Sequence, residues 1–162
     1  SGDGAKYDDD GDIWVLGRVD DVINVSGHRL STIEIESALV AHPLVAEAGV
    51  AGVADATTGQ AIAAFVVLAD ARALTGDEDF ADAGPRLVGE LRAHVSRAIG
   101  PIARPAHVFV VPDLPKTRSG KILRRLLADI TDERTWGDTT SLQDEAVPHR
   151  ITSIVAAGRA LV

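Results

Sequence analysis

The sequence has 162 residues and a formal net charge of −8, from 16 basic and 24 acidic side chains, and this length suits one domain with a buried core. The acidic balance and the 4% aromatic content argue against nucleic-acid binding, which requires a broad basic surface and aromatic platforms. The sequence has no cysteine for disulfides or thiolate chemistry and no apolar run of the roughly 20 residues that span a bilayer, so we expect a cytoplasmic location without membrane contact.

The first segment, residues 1–12, is rich in glycine and aspartate and predicts a polar turn. It matches a calcium loop poorly, because the Asp-x-Asp-x-Asp-Gly pattern and its terminal glutamate are missing, so no metal site is predicted. Short apolar runs at 13–16 and 22–25 predict two strands joined by a charged turn, as a short β-hairpin ahead of the main sheet. Since the sequence contains no methionine, we expect it to be a segment of a longer polypeptide, with processing of the first residue as the alternative.

A capping box then marks the start of the first helix. The Ser31 hydroxyl can accept from the backbone N–H three residues on, while the Glu34 side chain reaches back, which predicts a helix over 32–41. Two strands are predicted after it, at 45–53 and 61–68. The second of these is apolar enough to lie at the centre of a sheet.

The second half of the sequence alternates helix and strand signals. Residues 69–84 lack periodicity and predict a surface loop, after which Pro85 begins a helix that Gly100-Pro101 ends. A strand is predicted at 108–111 and a terminal helix at 151–162. The order β-β-α-β-β-α-β-α predicts an α+β fold, with helices packed on a small mixed sheet.

Residues 114–125 stand out because they contain no acidic side chain and five of the sixteen basic ones: Lys116, Arg118, Lys121, Arg124 and Arg125. Such a concentration on an acidic chain draws an anionic ligand to one place. Ser119-Gly120 can turn the chain, and apolar residues recur at helical spacing after Lys121, so this lysine is predicted where a loop enters a helix. A mobile ammonium there can reach a phosphate or carboxylate, although a solvated basic helix start remains the alternative.

A phosphate-binding P-loop is excluded for this stretch. Its pattern requires glycine where Pro115 stands and a hydroxyl where Ile122 stands.

Three motifs resemble those of a known family. Residues 17–30 (GRVDDVINVSGHRL), Glu34-Ile35-Glu36 and residues 114–125 (LPKTRSGKILRR) are similar to the C-terminal domain of AMP-forming acetyl-CoA synthetases, in the adenylate-forming superfamily. The likeness runs from Ser1 to about Leu142. It implies that residues 1–19 end a large N-terminal adenylation domain and approach a hinge, that 20–142 form a mobile C-terminal domain, and that 143–162 form a tail.

The resemblance implies a two-step ligase that uses ATP with Mg²⁺, acetate and CoA. A carboxylate attacks the α-phosphate of ATP to give an acyl-adenylate and pyrophosphate, and the CoA thiol then displaces AMP. Lys121 serves the first step by stabilising the charge that gathers between carboxylate and nucleotide. The chain alone is expected to be inactive, because the ATP and acyl pockets belong to the large domain. Residues 137–142 are similar to the acetyl and propionyl branch, and the alternatives are a propionyl-CoA or other acyl-CoA synthetase or a peptide-synthetase adenylation domain.

The first motif is implied to serve the second step, after the small domain swings about a hinge. Asp20 matches the hinge position, Ser26 and Gly27 match residues beside the pantetheine arm of CoA, and Arg29 matches an arginine that meets the adenylate phosphate. The competing accounts are an ordinary turn aspartate, a plain turn glycine and a surface ion pair of Arg29.

Further positions follow from the same resemblance. Asp3 and Arg18 match a ribose-binding carboxylate and its supporting arginine. Where related enzymes carry an arginine for the CoA 3′-phosphate this sequence has Ser96, and the neighbouring Arg97 is a CoA-binding candidate one residue on. His28 has no second ligand spaced with it and is interpreted as structural.

Lys121 has a second implied role, because the lysine at this position of the family is a site of reversible acetylation. A protein lysine acetyltransferase and an NAD-dependent deacylase are therefore expected partners. Acetylation removes the charge that adenylation needs.

Overall fold

The computed structural model describes residues 3–7, 13–70 and 80–159, with side chains described over 18–70 and 84–158. Short 3₁₀ turns at Val19–Asp21 and Pro101–Ala103 interrupt the regular elements. The strands are β1 (Asp3–Tyr7), β2 (Ile13–Arg18), β3 (Val22–Val25), β4 (His28–Ser31), β5 (Val45–Asp55), β6 (Gly59–Leu68) and β7 (His107–Val110). The helices are α1 (Thr32–Val40), α2 (Phe80–Ala98), α3 (Arg124–Thr131) and α4 (Ala146–Arg159).

Strand β6 lies at the centre of the larger sheet, whose order is β4-β3-β6-β5, with β7 pairing parallel to β6. The run from Ala61 to Val66 is buried, as expected of a strand that is apolar on both faces. Strand β5 pairs with β6 antiparallel from Asp55, opposite Gly59, to Val45, opposite Leu68. The sheet is therefore mixed, and its longest ladder runs along one strand.

Helices cover both faces of this sheet. Helices α1 and α2 bury one apolar cluster, which includes Leu39 and Leu91, and α3 and α4 bury the other, which includes Leu127 and Ile151. The predicted α+β class is confirmed. None of the helices in the described part of the chain has the length and apolar character needed to cross a membrane.

The Ser31 half of the predicted capping box is confirmed. The Ser31 hydroxyl accepts from the Glu34 amide at 3.4 Å, and α1 starts at Thr32. Strand β4, which was not predicted, pairs with β3 through a two-residue turn at Ser26 and Gly27, with φ of 49° and 82°. Positive φ at both central residues is the geometry of a type I′ hairpin, which matches the twist of the strands.

The predicted pairing of strands 13–16 and 22–25 is wrong. Strand β2 pairs with β1, and β3 pairs with β4, because a 3₁₀ turn separates β2 from β3 and the segment 3–7 is a strand instead of a turn. The resulting hairpin, β1–β2, still precedes the larger sheet.

Two predicted helix starts are also wrong. Helix α2 begins at Phe80 and contains Pro85 as its sixth residue, whereas the prediction placed this proline in the first turn, where proline is best tolerated. Helix α4 begins at Ala146 instead of residue 151. The predicted loop over 69–84 is thus helical from residue 80, and residues 71–79 lie outside the described part of the chain.

Candidate functional site

Lys121 stands on a closed loop, residues 116–122, which we call the lysine loop. Lys116 and Ile122 form an antiparallel bridge, and the Thr117 amide donates to the Lys121 carbonyl at 2.8 Å. The Gly120 amide donates to the Thr117 carbonyl at 2.8 Å, and the Lys121 amide donates to the Thr117 hydroxyl at 3.1 Å. Gly120 has φ of 84°, which favours glycine. These bonds fix the backbone that carries the exposed Lys121 side chain.

The two ends of the lysine loop are held in the core. Before it, Leu114 is buried, and after it the Leu123 amide donates to the Pro115 carbonyl at 2.8 Å. Thr117 bridges to buried Leu142, so the segment ahead of α4 also braces the loop. Helix α3 begins three residues after Lys121, as the sequence predicted for a lysine at a helix entrance.

Three of the five basic residues in this stretch have acidic partners: Lys116, Arg124 and, through a longer contact of 3.8 Å to Asp129, Arg125. The Lys116 ammonium lies 2.5 Å from Glu47 and 3.4 Å from Asp113, and the hydrogen bond to Glu47 raises the pKa of Lys116. Arg124 is the second and is described next. Within the described residues, Lys121 and Arg118 are exposed and form no ion pair. The cationic surface is therefore narrower than the composition suggests.

Arg124 is the centre of a buried charge cluster. Its guanidinium contacts Glu36 at 2.8 and 2.7 Å and Asp21 at 3.1 Å. Glu36 also accepts from the Val50 amide at 2.9 Å. The bonds to Glu36 raise the pKa of Arg124, whose side chain is only 14% exposed. One arginine thus joins the start of α3 to α1, β5 and the turn that follows β2.

Sequence reasoning missed this cluster. Its one local signal was Glu36, an acidic residue that shares the buried face of α1 with Ile35 and Leu39. A buried carboxylate requires a partner. The partner lies 88 residues away, so the sequence does not identify it.

The predicted hinge residue Asp20 lies in the 3₁₀ turn Val19–Asp21. The Arg18 guanidinium approaches the Asp20 carboxylate at 3.8 Å, and both residues line a cavity of about 280 Å³ against the start of α3. Asp3 is the register partner of Arg18 across β1 and β2. Asp3, Arg18 and Asp20, which were assigned by resemblance to the ribose and to the hinge, therefore belong to one region of the chain.

Ser26 and Gly27 form the tip of the β3–β4 hairpin, which we call the glycine turn. The Ser26 amide donates to the Thr58 carbonyl at 3.0 Å, which ties the tip to the β5–β6 turn. A Cβ atom added to Gly27 meets no described atom within 4 Å, so the space above this residue is open. Arg29 and His28 are exposed beside it on β4.

The lysine loop and the glycine turn lie toward opposite ends of β6. Lys116 is bound to Glu47, the register partner of Val67, whereas the glycine turn follows Val25, the partner of Gly59. Eight residues of strand separate these positions, which is about 26 Å at 3.3 Å per residue. The structure thus keeps the two predicted ligand-binding regions apart.

Arg97 lies at the same end of the sheet as the glycine turn. Helix α2 ends at Ala98, and the chain then passes through the 3₁₀ turn Pro101–Ala103 to Ala106, whose amide donates to Ile62 near the start of β6. Arg97 is exposed and Ser96 is partly buried. In the described part of the chain, no group of three or more His, Asp or Glu side chains is arranged to hold a metal ion.

Comparisons with known proteins point to one group. Residues 34–121 match the profile described as the AMP-binding enzyme C-terminal domain. The acetyl-coenzyme A synthetase of Streptomyces avermitilis is 57% identical over 157 residues, which cover 97% of this chain and 23% of that protein. The acetyl-coenzyme A synthetase of Mycobacterium tuberculosis is 61% identical over 147 residues, which cover 91% of this chain and 21% of that protein.

Solved structures agree with these matches. An acyl-CoA synthetase from Brucella canis has a TM-score of 0.60 and 40% identity, with 80% of this chain and 22% of that chain covered. An o-succinylbenzoate CoA synthetase from Bacillus subtilis, bound to a product analogue, has a TM-score of 0.57 and 33% identity, with 80% and 24% covered. The chain therefore spans less than a quarter of the length of each of these relatives.

Proposed function

Since the chain belongs to the family of AMP-binding enzyme C-terminal domains, we propose that it forms the C-terminal lid of an AMP-forming acetate–CoA ligase. The whole enzyme converts acetate, ATP and CoA to acetyl-CoA, AMP and pyrophosphate. A large N-terminal domain holds acetate and ATP, and Mg²⁺ enters as the counterion of the ATP phosphates. The relatives named acetyl-coenzyme A synthetase support acetate over propionate or a longer acyl group.

The observation that carries this proposal is the exposed Lys121 side chain, which has no ion pair among the described residues and stands on a loop whose backbone is fixed. In the first step its ammonium lies between the acetate carboxylate and the α-phosphate, where negative charge accumulates. A protonated amine is not a nucleophile, so it acts by charge and position. A fixed loop keeps the charge in place without further ordering when the transition state forms.

In the second step the lid turns about Asp20, so that the glycine turn replaces the lysine loop at the adenylate. Gly27 and Ser26 border the path of the pantetheine arm, and the open space above Gly27 supports this assignment. Arg29 binds the phosphate of the adenylate. Arg18, with Asp3 opposite it in register, holds the ribose at the junction with the large domain.

A chimeric enzyme tests the proposal. The large domain of Streptomyces avermitilis acetyl-coenzyme A synthetase is joined to this chain, in place of its own matching C-terminal segment. We expect Lys121→Ala to reduce acetate-dependent pyrophosphate exchange by about a hundredfold or more, as for other groups that stabilise charge in a transition state. Thioester formation from preformed acetyl-adenylate and CoA should survive.

Arg118→Ala is the matched control, since Arg118 is an exposed cation on the same loop. It should leave both half-reactions within a factor of about three, or about 0.7 kcal/mol. If pyrophosphate exchange survives in Lys121→Ala, the role of Lys121 is wrong. If the unsubstituted chimera forms no acetyl-CoA, the proposed function is wrong.

We further propose that Lys121 is acetylated and deacylated in the cytoplasm by a lysine acetyltransferase and an NAD-dependent deacylase. Its exposure on the lysine loop supports this role. Acetylation neutralises the ammonium and stops adenylation alone. Mass spectrometry after treatment with acetyltransferase and acetyl-CoA should find the acetyl group on Lys121 and not on ion-paired Lys116. Modification of Lys116 in preference to Lys121 would contradict this proposal.

A further inference from the structure

Arg92 and Arg104 form a pair of cations without a carboxylate partner among the described residues. Arg92, on α2, donates through Nη2 to the carbonyl of Ala106, and its Nε is buried with no hydrogen-bond partner. Arg104 is exposed and lies two residues before Ala106. The basic residues at the hinge and on α3, such as Arg18, Arg124 and Arg125, each face an acidic side chain.

The electrostatics of this pair favour an added anion. Burial lowers the pKa of Arg92, and the charge of Arg104 lowers it further. The two positive charges are therefore close enough to repel each other, in a chain whose net charge is −8. An anion between them offsets both the burial and the repulsion. Guanidinium groups match the geometry of phosphate oxygens.

The pair lies near the glycine turn. The Ala106 amide donates to the Ile62 carbonyl at 2.9 Å, and Ile62 is three residues along β6 from Gly59, the partner of Val25. At about 3.3 Å per residue, the two backbone contacts are about 10 Å apart. An anion bound by Arg104 is thus at the end of the sheet where the pantetheine arm of CoA lies in the proposed function.

We propose that Arg92 and Arg104 form a phosphate-binding site that holds a phosphate group of CoA while its thiol reaches past the glycine turn. This inference rests on the proposed function, which supplies the ligand. CoA carries a diphosphate and a 3′-phosphate. Arg104 is the exposed contact, and Arg92 is the partly buried one, oriented by its bond to Ala106.

The test measures CoA saturation in the chimeric enzyme. We expect Arg104→Ala to raise the KM for CoA by about tenfold, since hydrogen bonds to charged groups are worth at least this factor. Acetate-dependent pyrophosphate exchange should not change, and Arg104→Lys should restore part of the affinity. Arg150→Ala is the control, because Arg150 is an exposed arginine on α4, on the other face of the sheet.

Dephospho-CoA, which lacks the 3′-phosphate, identifies the group that is bound. If Arg104→Ala raises the KM for CoA but not for dephospho-CoA, the site holds the 3′-phosphate. If both values rise by the same factor, it holds the diphosphate. Unchanged KM values for both ligands overturn the inference, and so does a parallel loss of pyrophosphate exchange, which indicates general damage.

Two further measurements distinguish this site from one at Arg97 and from an effect seen only in the activity of the chimera. A rise in KM for Arg97→Ala with none for Arg104→Ala assigns the phosphate to the last turn of α2 and overturns the proposal. Titration of the chain itself with CoA, followed by the amide resonances of Arg104 and Ala106, does not depend on activity. Saturable shifts that Arg104→Ala abolishes support the site even if the chimera is inactive, and no shift at millimolar CoA overturns it.

Discussion

The lysine loop and the glycine turn are built by different means for different tasks. The lysine loop presents one ammonium on a backbone closed by four short-range contacts, whereas the glycine turn presents open space on a two-residue hairpin with arginines nearby. Between them, Arg124 and its carboxylate partners are largely buried. The comparison teaches that, within residues 114–125, the largely buried ion pair of Arg124 belongs to the framework, whereas Lys121, which is exposed and has no ion pair among the described residues, belongs to a candidate binding surface.

The largest loss of stability is expected from substitution of Arg124, which lies between the two regions. Arg124→Ala leaves Glu36 and Asp21 without their cation, and removing one partner of a buried pair costs about 3 kcal/mol or more. We expect a fall of this size in the free energy of unfolding, measured by urea denaturation. In the chimera, both half-reactions should fall together, because the variant affects the shared framework.

Arg125→Ala is the matched control for that variant. Arg125 is the next residue, is 73% exposed, and lies 3.8 Å from Asp129. Exposed pairs contribute at most about 1 kcal/mol, so its effect should be small. Equal destabilisation by the two substitutions would contradict the distinction between framework and surface charges.

The second prediction replaces glycine by leucine at two positions that share one backbone conformation, one in the glycine turn and one in the lysine loop. Gly27 and Gly120 have φ of 82° and 84°, and an added Cβ meets no described atom at either position. Leucine at either site should therefore cost a similar 1–2 kcal/mol of stability from backbone strain alone. We expect Gly27→Leu to reduce thioester formation, and Gly120→Leu to reduce pyrophosphate exchange, each by about a hundredfold.

The two variants control for each other because their strain is alike. If both lose the same half-reaction, the two ends do not serve separate steps. Retention of more than about half the activity in both steps by both variants would contradict close contact of either glycine with a ligand.

The smallest effect is expected from Lys116, the paired lysine of the lysine loop. Its raised pKa means that the ion pair stabilises the fold fully below about pH 10.4, the ordinary lysine value, and that this contribution is lost as the pH rises through the folded-state pKa. We expect Lys116→Met to lower the free energy of unfolding by up to about 1 kcal/mol at pH 7 to 9. The difference from the original chain should shrink above pH 10.5.

Arg118→Met serves as the comparison for Lys116→Met, since Arg118 is exposed and has no ion pair among the described residues. Its effect on unfolding should be near zero and independent of pH over the same range. A constant deficit in Lys116→Met up to pH 11.5 would show that the loss comes from packing and not from charge.

The sequence predicted the elements that have strong local signals. The cap at Ser31 defined α1, and the apolar run from Ala61 to Val66 defined a central strand. Strands β1 and β4 were not predicted, and β2 and β3 were paired wrongly. Strand β4 has only four residues and none of them is buried, so it lacks the alternation that identifies a strand.

Part of the candidate site was readable for a similar reason. Motif order drew attention to Lys121 and Gly27, and a turn followed by apolar periodicity placed Lys121 just ahead of a helix. The sequence did not predict which of the basic residues form ion pairs. Lys116 and Arg124 look like Arg118 and Lys121 in sequence, and they differ only through contacts with Glu47 and Glu36, far away in the chain.

Strand β6 also fixes the distance between the lysine loop and the glycine turn. The lysine loop and the glycine turn are tied toward its two ends, and its hydrogen bonds with β5 continue along the strand between them. Their spacing can therefore change only in steps of whole residues, and only an even step keeps each side chain on its face of the sheet. One such step is about 6.6 Å. If the chain acts as the proposed lid, the lysine loop and the glycine turn therefore cannot approach each other, and the whole domain has to rotate to bring one or the other to the adenylate.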